Sequence, residues 1–79
     1  MQKKFKEAIE MFQFHIQINP DAPYSYTGLG RAYKADGQLE LAKEKFKKAY
    51  EMAKEQGTSD LSRYLDHIER IQKQLNTKE

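Results

Sequence analysis

The sequence predicts an all-α fold of about four helices. Three observations carry that prediction. Apolar residues recur at spacings of three and four in four stretches, the period of one helical face. Asn19-Pro20-Asp21, Gly37 and Gly57 separate the stretches, and these residue types stop helices. The first and third stretches also match each other at an offset of about 34 residues. That offset pairs Phe5 with Leu39, Ala8 with Ala42, Phe12 with Phe46 and Ile16 with Tyr50.

Residues 2–18 read as the first helix, with Phe5, Ala8, Ile9, Phe12 and Ile16 as its stripe. Pro20 restricts Asn19 and cannot continue the hydrogen-bond ladder. Asp21 is the expected N-cap of a second helix, from about Ala22 to Asp36, with Pro23 tolerated in its first turn. Gly28 and Gly30 lie inside this helix, each at a cost of about 1 kcal/mol against Ala. A glycine there needs a packing reason, and the pattern supplies none for Gly28. Gly37 is the expected glycine just past the helix end. The third helix runs from about Gln38 to Glu55, with Leu39, Ala42, Phe46, Ala49 and Tyr50 on one face. Thr58-Ser59-Asp60 then caps a fourth helix reaching about Leu75. Its stripe is Leu61, Tyr64, Leu65, Ile68, Ile71 and Leu75.

Tyr26-x-x-Leu29-Gly30-x-x-Tyr33, followed by Ala42-x-x-x-Phe46, resembles the tetratricopeptide repeat, a helix–turn–helix of about 34 residues. In that family's pattern, Gly30 and Ala42 are the small residues at which two helices approach closely. The first helix then matches the second helix of an earlier repeat, and Pro20 is its closing proline. Lys54 stands at the later proline position, so the third helix is expected to run longer than the first. His15 stands where a small residue like Ala49 belongs, a departure that weakens close packing there. The same offset from Tyr26, Leu29 and Tyr33 lands on the polar Asp60, Arg63 and His67, so the last helix reads as a solvating cap.

The resemblance implies a right-handed antiparallel solenoid fragment as one domain over 1–79. Residues 2–18 form a half-repeat, 22–56 a full repeat and 59–75 the cap. It also implies a non-catalytic protein–protein interaction module, whose concave groove is lined by the first helix of each repeat. By that likeness, Tyr24, Thr27, Arg31 and Lys34, spaced three, four and three apart, are the peptide-binding stripe. An aromatic with two cations suits an extended peptide carrying acidic groups. A plain solvated stripe with one surface tyrosine is the competing reading.

Composition narrows the alternatives. A chain of 79 residues makes one domain at most. Lys and Arg total 14 against 12 for Asp and Glu, a near balance that argues against a dedicated nucleic-acid or membrane-surface binder. Lys43, Lys45, Lys47 and Lys48 interleave with Glu40, Glu44 and Glu51, the pattern of a solvated helix face. No apolar run nears the roughly 18 residues of a membrane span. Lys3, Lys4 and Lys6 precede no apolar signal core. The chain has no Cys, which fits a reducing, cytoplasmic setting.

Catalysis finds no purchase in the sequence. His15 and His67 have no ligand or base at a recognised spacing, and Ser25, Ser59 and Ser62 lack a nucleophile elbow. Ser59 reads as a helix cap. Gly28-Leu29-Gly30 lacks the preceding strand of a phosphate loop. No enzyme activity, metal or cofactor is expected.

The first helix carries a second stripe, Met11, Phe14 and Ile18, and its repeat-mate has Lys45 and Lys48 where Met11 and Phe14 stand. Together the two stripes cover roughly 200° of the helix. Exposed apolar patches mark interfaces, so this one is expected to meet a preceding helix, a second copy of the chain, or the fourth helix folded back. The chain also begins in mid-repeat. In this it resembles the short repeat tails that follow serine-hydrolase domains in some bacterial esterases. Under that alternative the tail carries no catalytic residue, and Met11 and Phe14 face the missing domain or a dimer mate.

Overall fold

The computed structural model describes residues 2–77, with side chains from residue 4 onward. Lys3, one of the three early lysines, lies outside the described side chains. Four α-helices follow one another: α1 (Gln2–Ile18), α2 (Pro23–Ala35), α3 (Leu39–Glu55) and α4 (Ser62–Thr77). No strand occurs among the described residues. α1 packs on α2, α2 on α3, and α3 on α4, in a slab measuring 35 × 29 × 13 Å.

Two glycines end helices by the same device. Gly37 adopts φ 85° and Gly57 φ 80°, the left-handed region that other residues enter only with strain. After α2, Gln38 N–H donates to the Tyr33 carbonyl at 2.9 Å and Gly37 N–H to that of Lys34 at 3.0 Å. After α3, Thr58 and Gly57 donate to Ala53 and Lys54 at 3.0 and 3.1 Å. These paired bonds satisfy carbonyls that a helix end leaves open.

The starts differ from the expectation. Asp21 does not cap α2; Ala22 holds the N-cap position without a side-chain bond, and Pro23 begins the helix. Proline at the first position has no N–H to satisfy, so one capping partner is dispensable. At α4 it is Asp60, not Ser59, that serves. Its carboxylate accepts from Ser62 N–H at 3.1 Å and Ser62 Oγ–H at 2.7 Å. Those two bonds hold its pKa below the usual carboxylate value. α3 continues through Lys54 to Glu55, past Met52, the match of Ile18. α1 and α3 are nonetheless equally long, at 17 residues each, because α3 also starts later in the pattern.

The core lies between α2, α3 and α4. Leu29, Ala32, Ala42, Phe46, Ala49, Ala53 and Ile71 are buried, and Tyr33, Leu39 and Ile68 pack around Ala42, Phe46 and Ile71. Gly30 permits this. A Cβ there would stand 2.7 Å from Phe46 Cε1 and 3.2 Å from the Ala42 carbonyl oxygen. Gly28 has its reason as well: a Cβ there would stand 2.8 Å from Phe12 Cδ1, so α1 docks the Phe12 ring on bare backbone.

α4 turns inward most of the stripe read from its sequence, with Leu61, Tyr64, Ile68, Ile71 and Leu75 buried or half-buried. Ile71 is buried, but Leu65 is 48% exposed. His67 takes the inner place instead, stacked on Phe46 with ring centroids 4.8 Å apart and planes 13° apart.

Candidate functional site

α2 and α4 flank one groove. Its first part is a cavity of about 290 Å³ lined by Tyr24, Thr27, Gly28 and Arg31 of α2, by Arg63, Tyr64 and His67 of α4, and by Phe12 of α1. Its second part, of about 470 Å³, brings Arg31, Lys34 and Ala35 against Asp66, His67, Arg70 and Gln74. Residues 24–31 face 63–67, and residues 31–35 face 66–74. The two helices therefore run in the same direction along the groove, and Arg31 and His67 belong to both parts.

Three of the four stripe residues, Tyr24, Thr27 and Arg31, share the first cavity, and Lys34 lies in the adjoining one. Tyr24 is 62% exposed, so its ring is a wall open to solvent. Thr27 donates its hydroxyl to the Pro23 carbonyl at 3.3 Å and lines the cavity. Gly28 contributes only backbone, and Phe12 and Tyr64 complete an aromatic lining.

No family model matches this chain, and no curated protein and no solved structure matches it either. The functional reading rests on the groove itself.

Its electrostatics are one-sided. Arg31, Lys34, Arg63 and Arg70 line it, against the single carboxylate of Asp66. Asp66 is already engaged by Arg70 at 3.0 Å. His67 sits among these cations. Burial first, and then the Arg31 charge, hold its pKa below the usual 6.5, with Asp66 opposing. It is neutral at pH 7 and offers a ring for stacking.

Phe12, Arg63, Tyr64, His67 and Arg70 were not on the stripe read from α2. A signal existed for the α4 members. Arg63, His67, Arg70 and Gln74 recur at spacings of four, three and four, a polar stripe like that of α2.

Met11, Phe14 and Ile18 lie outside the groove, exposed at 51%, 60% and 67%. α4 does not fold back over them. His15 is exposed beside Phe12, with ring centroids 6.3 Å apart. Ser25 is buried. Among the described residues, no three His, Asp or Glu side chains gather as a metal site would need, and no helix is long and apolar enough to cross a membrane.

Proposed function

We propose that this chain is a non-catalytic protein–protein interaction module of the tetratricopeptide type, its helices stacked as a right-handed solenoid fragment. The groove between α2 and α4 holds an extended peptide. One observation carries the reading: Tyr24, Thr27 and Arg31, separated along α2, meet Arg63, Tyr64 and His67 of α4 around a single cavity. A groove with aromatic walls and convergent polar groups on rigid helices suits recognition. The test is selection of random peptides on the immobilised full chain, followed by NMR shift mapping of a selected peptide. Shifts concentrated on residues 24–34 and 63–74 bear the reading out. Shifts confined to Met11–Ile18, or no enrichment over a bare surface, defeat it.

The exposure of Met11, Phe14 and Ile18 supports a second reading, self-association through α1. The same stripe would face the catalytic domain if the chain is the tail of a larger serine hydrolase.

A further inference from the structure

We propose that the groove selects an internal peptide segment in which one large apolar side chain is flanked by acidic residues. The apolar side chain enters the cavity of Phe12, Tyr24, Gly28 and Tyr64, and the acids lie on the surrounding cations. This rests on the peptide-groove reading and names its ligand class.

The first part of the groove has room for a large apolar side chain. Its volume is about 290 Å³, and the Phe12 ring lying on the bare Gly28 backbone forms part of its wall. Three aromatic rings line it, so it rewards an apolar or aromatic occupant. Carboxylates of the ligand are favoured by position as well as by sign. Arg63 stands at the start of α4 beside this cavity, and Lys34 and Arg70 stand beyond its far side, with Arg31 shared. The whole chain carries a net charge of only +2, yet the groove sets four cations against one carboxylate. That carboxylate, Asp66, already has a partner in Arg70.

Spacing follows from helix geometry. Gly28 and Lys34 are separated by about 9 Å along α2, at roughly 1.5 Å per residue. An extended peptide covers that in about three residues, at roughly 3.3 Å each. An acid about three positions from the apolar anchor therefore reaches Lys34 and Arg70. Arg63 takes an acid on the other side. Cations strung along the groove fit side chains of an internal segment better than one terminal carboxylate, which needs a single convergent cluster.

The experiment reads the selected peptides and then measures them against variants. A representative peptide, acetylated and amidated so that no terminal charge remains, is titrated by fluorescence anisotropy. Replacing its apolar anchor by Ala should weaken binding about tenfold to a hundredfold, and replacing its acids by Gln about tenfold. Thr27→Trp should fill the cavity and remove the dependence on the anchor. Arg31→Glu should remove the preference for acids. Circular dichroism confirms that each variant is folded, and Glu51→Gln, exposed on α3 away from the groove, serves as a control that should bind as the parent does. Selected peptides that map to the groove but lack the apolar–acidic pairing would overturn this inference and leave the peptide groove standing. Peptides that bind only with a free C-terminal carboxylate would also overturn it. Failure of any peptide to map to the groove removes both. Tighter binding of a ten-nucleotide deoxythymidine oligomer, lost in Arg31→Glu, would assign the cations to phosphates and overturn it too.

Discussion

The ring of Phe12 lies on the backbone of Gly28, where a Cβ would stand 2.8 Å from its Cδ1. This contact joins α1 to α2 and forms part of the groove wall. A Cβ at Gly28 would come closer still to Phe12 Cε1 and Cζ, but the Gly30 contact with Phe46 has tighter surroundings. Phe46 is 2% exposed and enclosed, whereas Phe12 is only half-buried and can swing aside.

Gly30→Ala and Gly28→Ala should therefore behave differently. Both gain about 1 kcal/mol of helix propensity. At Gly30 the new methyl meets a ring that cannot move and a backbone carbonyl, and overpacking costs about 1–3 kcal/mol. Urea denaturation should show Gly30→Ala to be the less stable of the two. Equal midpoints would mean that Phe46 is free to shift.

Phe46 holds three helices together, touching the Gly30 backbone and His67 and sharing a core with Ala42 and Ile71. Phe46→Ala should cost about 3–5 kcal/mol, enough to unfold a domain of this size. Loss of the far-ultraviolet helical signal at 25 °C is the expected readout. A native-like melting curve would refute this packing.

His67 gives the fold a pH dependence of known sign. Its folded pKa lies below 6.5 through burial and the Arg31 charge. The unfolded chain therefore takes up the proton first as pH falls. The contribution of neutral His67 is present above about pH 6.5 and is lost as pH drops through the depressed folded value. Unfolding midpoints measured from about pH 8 to 5 should fall at the acid end. In His67→Phe, which keeps a ring on Phe46, that part of the fall should disappear. An identical pH profile in the variant would remove His67 from the account.

If α1 carries self-association, Met11→Lys with Phe14→Lys should shift the mass toward monomer. Light scattering over a range of concentrations measures this. The two side chains are 51% and 60% exposed, so the charges should not harm folding. The same mass before and after substitution would leave the stripe to some other partner.

What the sequence determined by itself was local. Apolar spacing marked all four helices, and Pro20, Gly37 and Gly57 marked their ends, because period and backbone preference act over a few residues. Leu29, Gly30, Ala42 and Phe46 were legible as the α2–α3 packing for the same reason, since the two helices are joined by a short turn. The stripe Tyr24, Thr27, Arg31 and Lys34 was legible as one face of α2, but not the wall opposite it. Only the tertiary structure decided the fine rotation of α4 about its axis: Leu61, Tyr64, Ile68, Ile71 and Leu75 are buried or half-buried as their stripe predicted, and Leu65 is not. A linker separates it from α3, so local spacing did not show that His67, beside the apolar stripe, would reach Phe46. Packing chose the rotation that puts His67 on Phe46 and leaves Leu65 48% exposed. That rotation brings Arg63, Tyr64 and Arg70 to the groove. Gly28 belongs to the same class. Its cost was visible in the helix, but its purpose depended on Phe12, a ring in another helix whose approach no local pattern records.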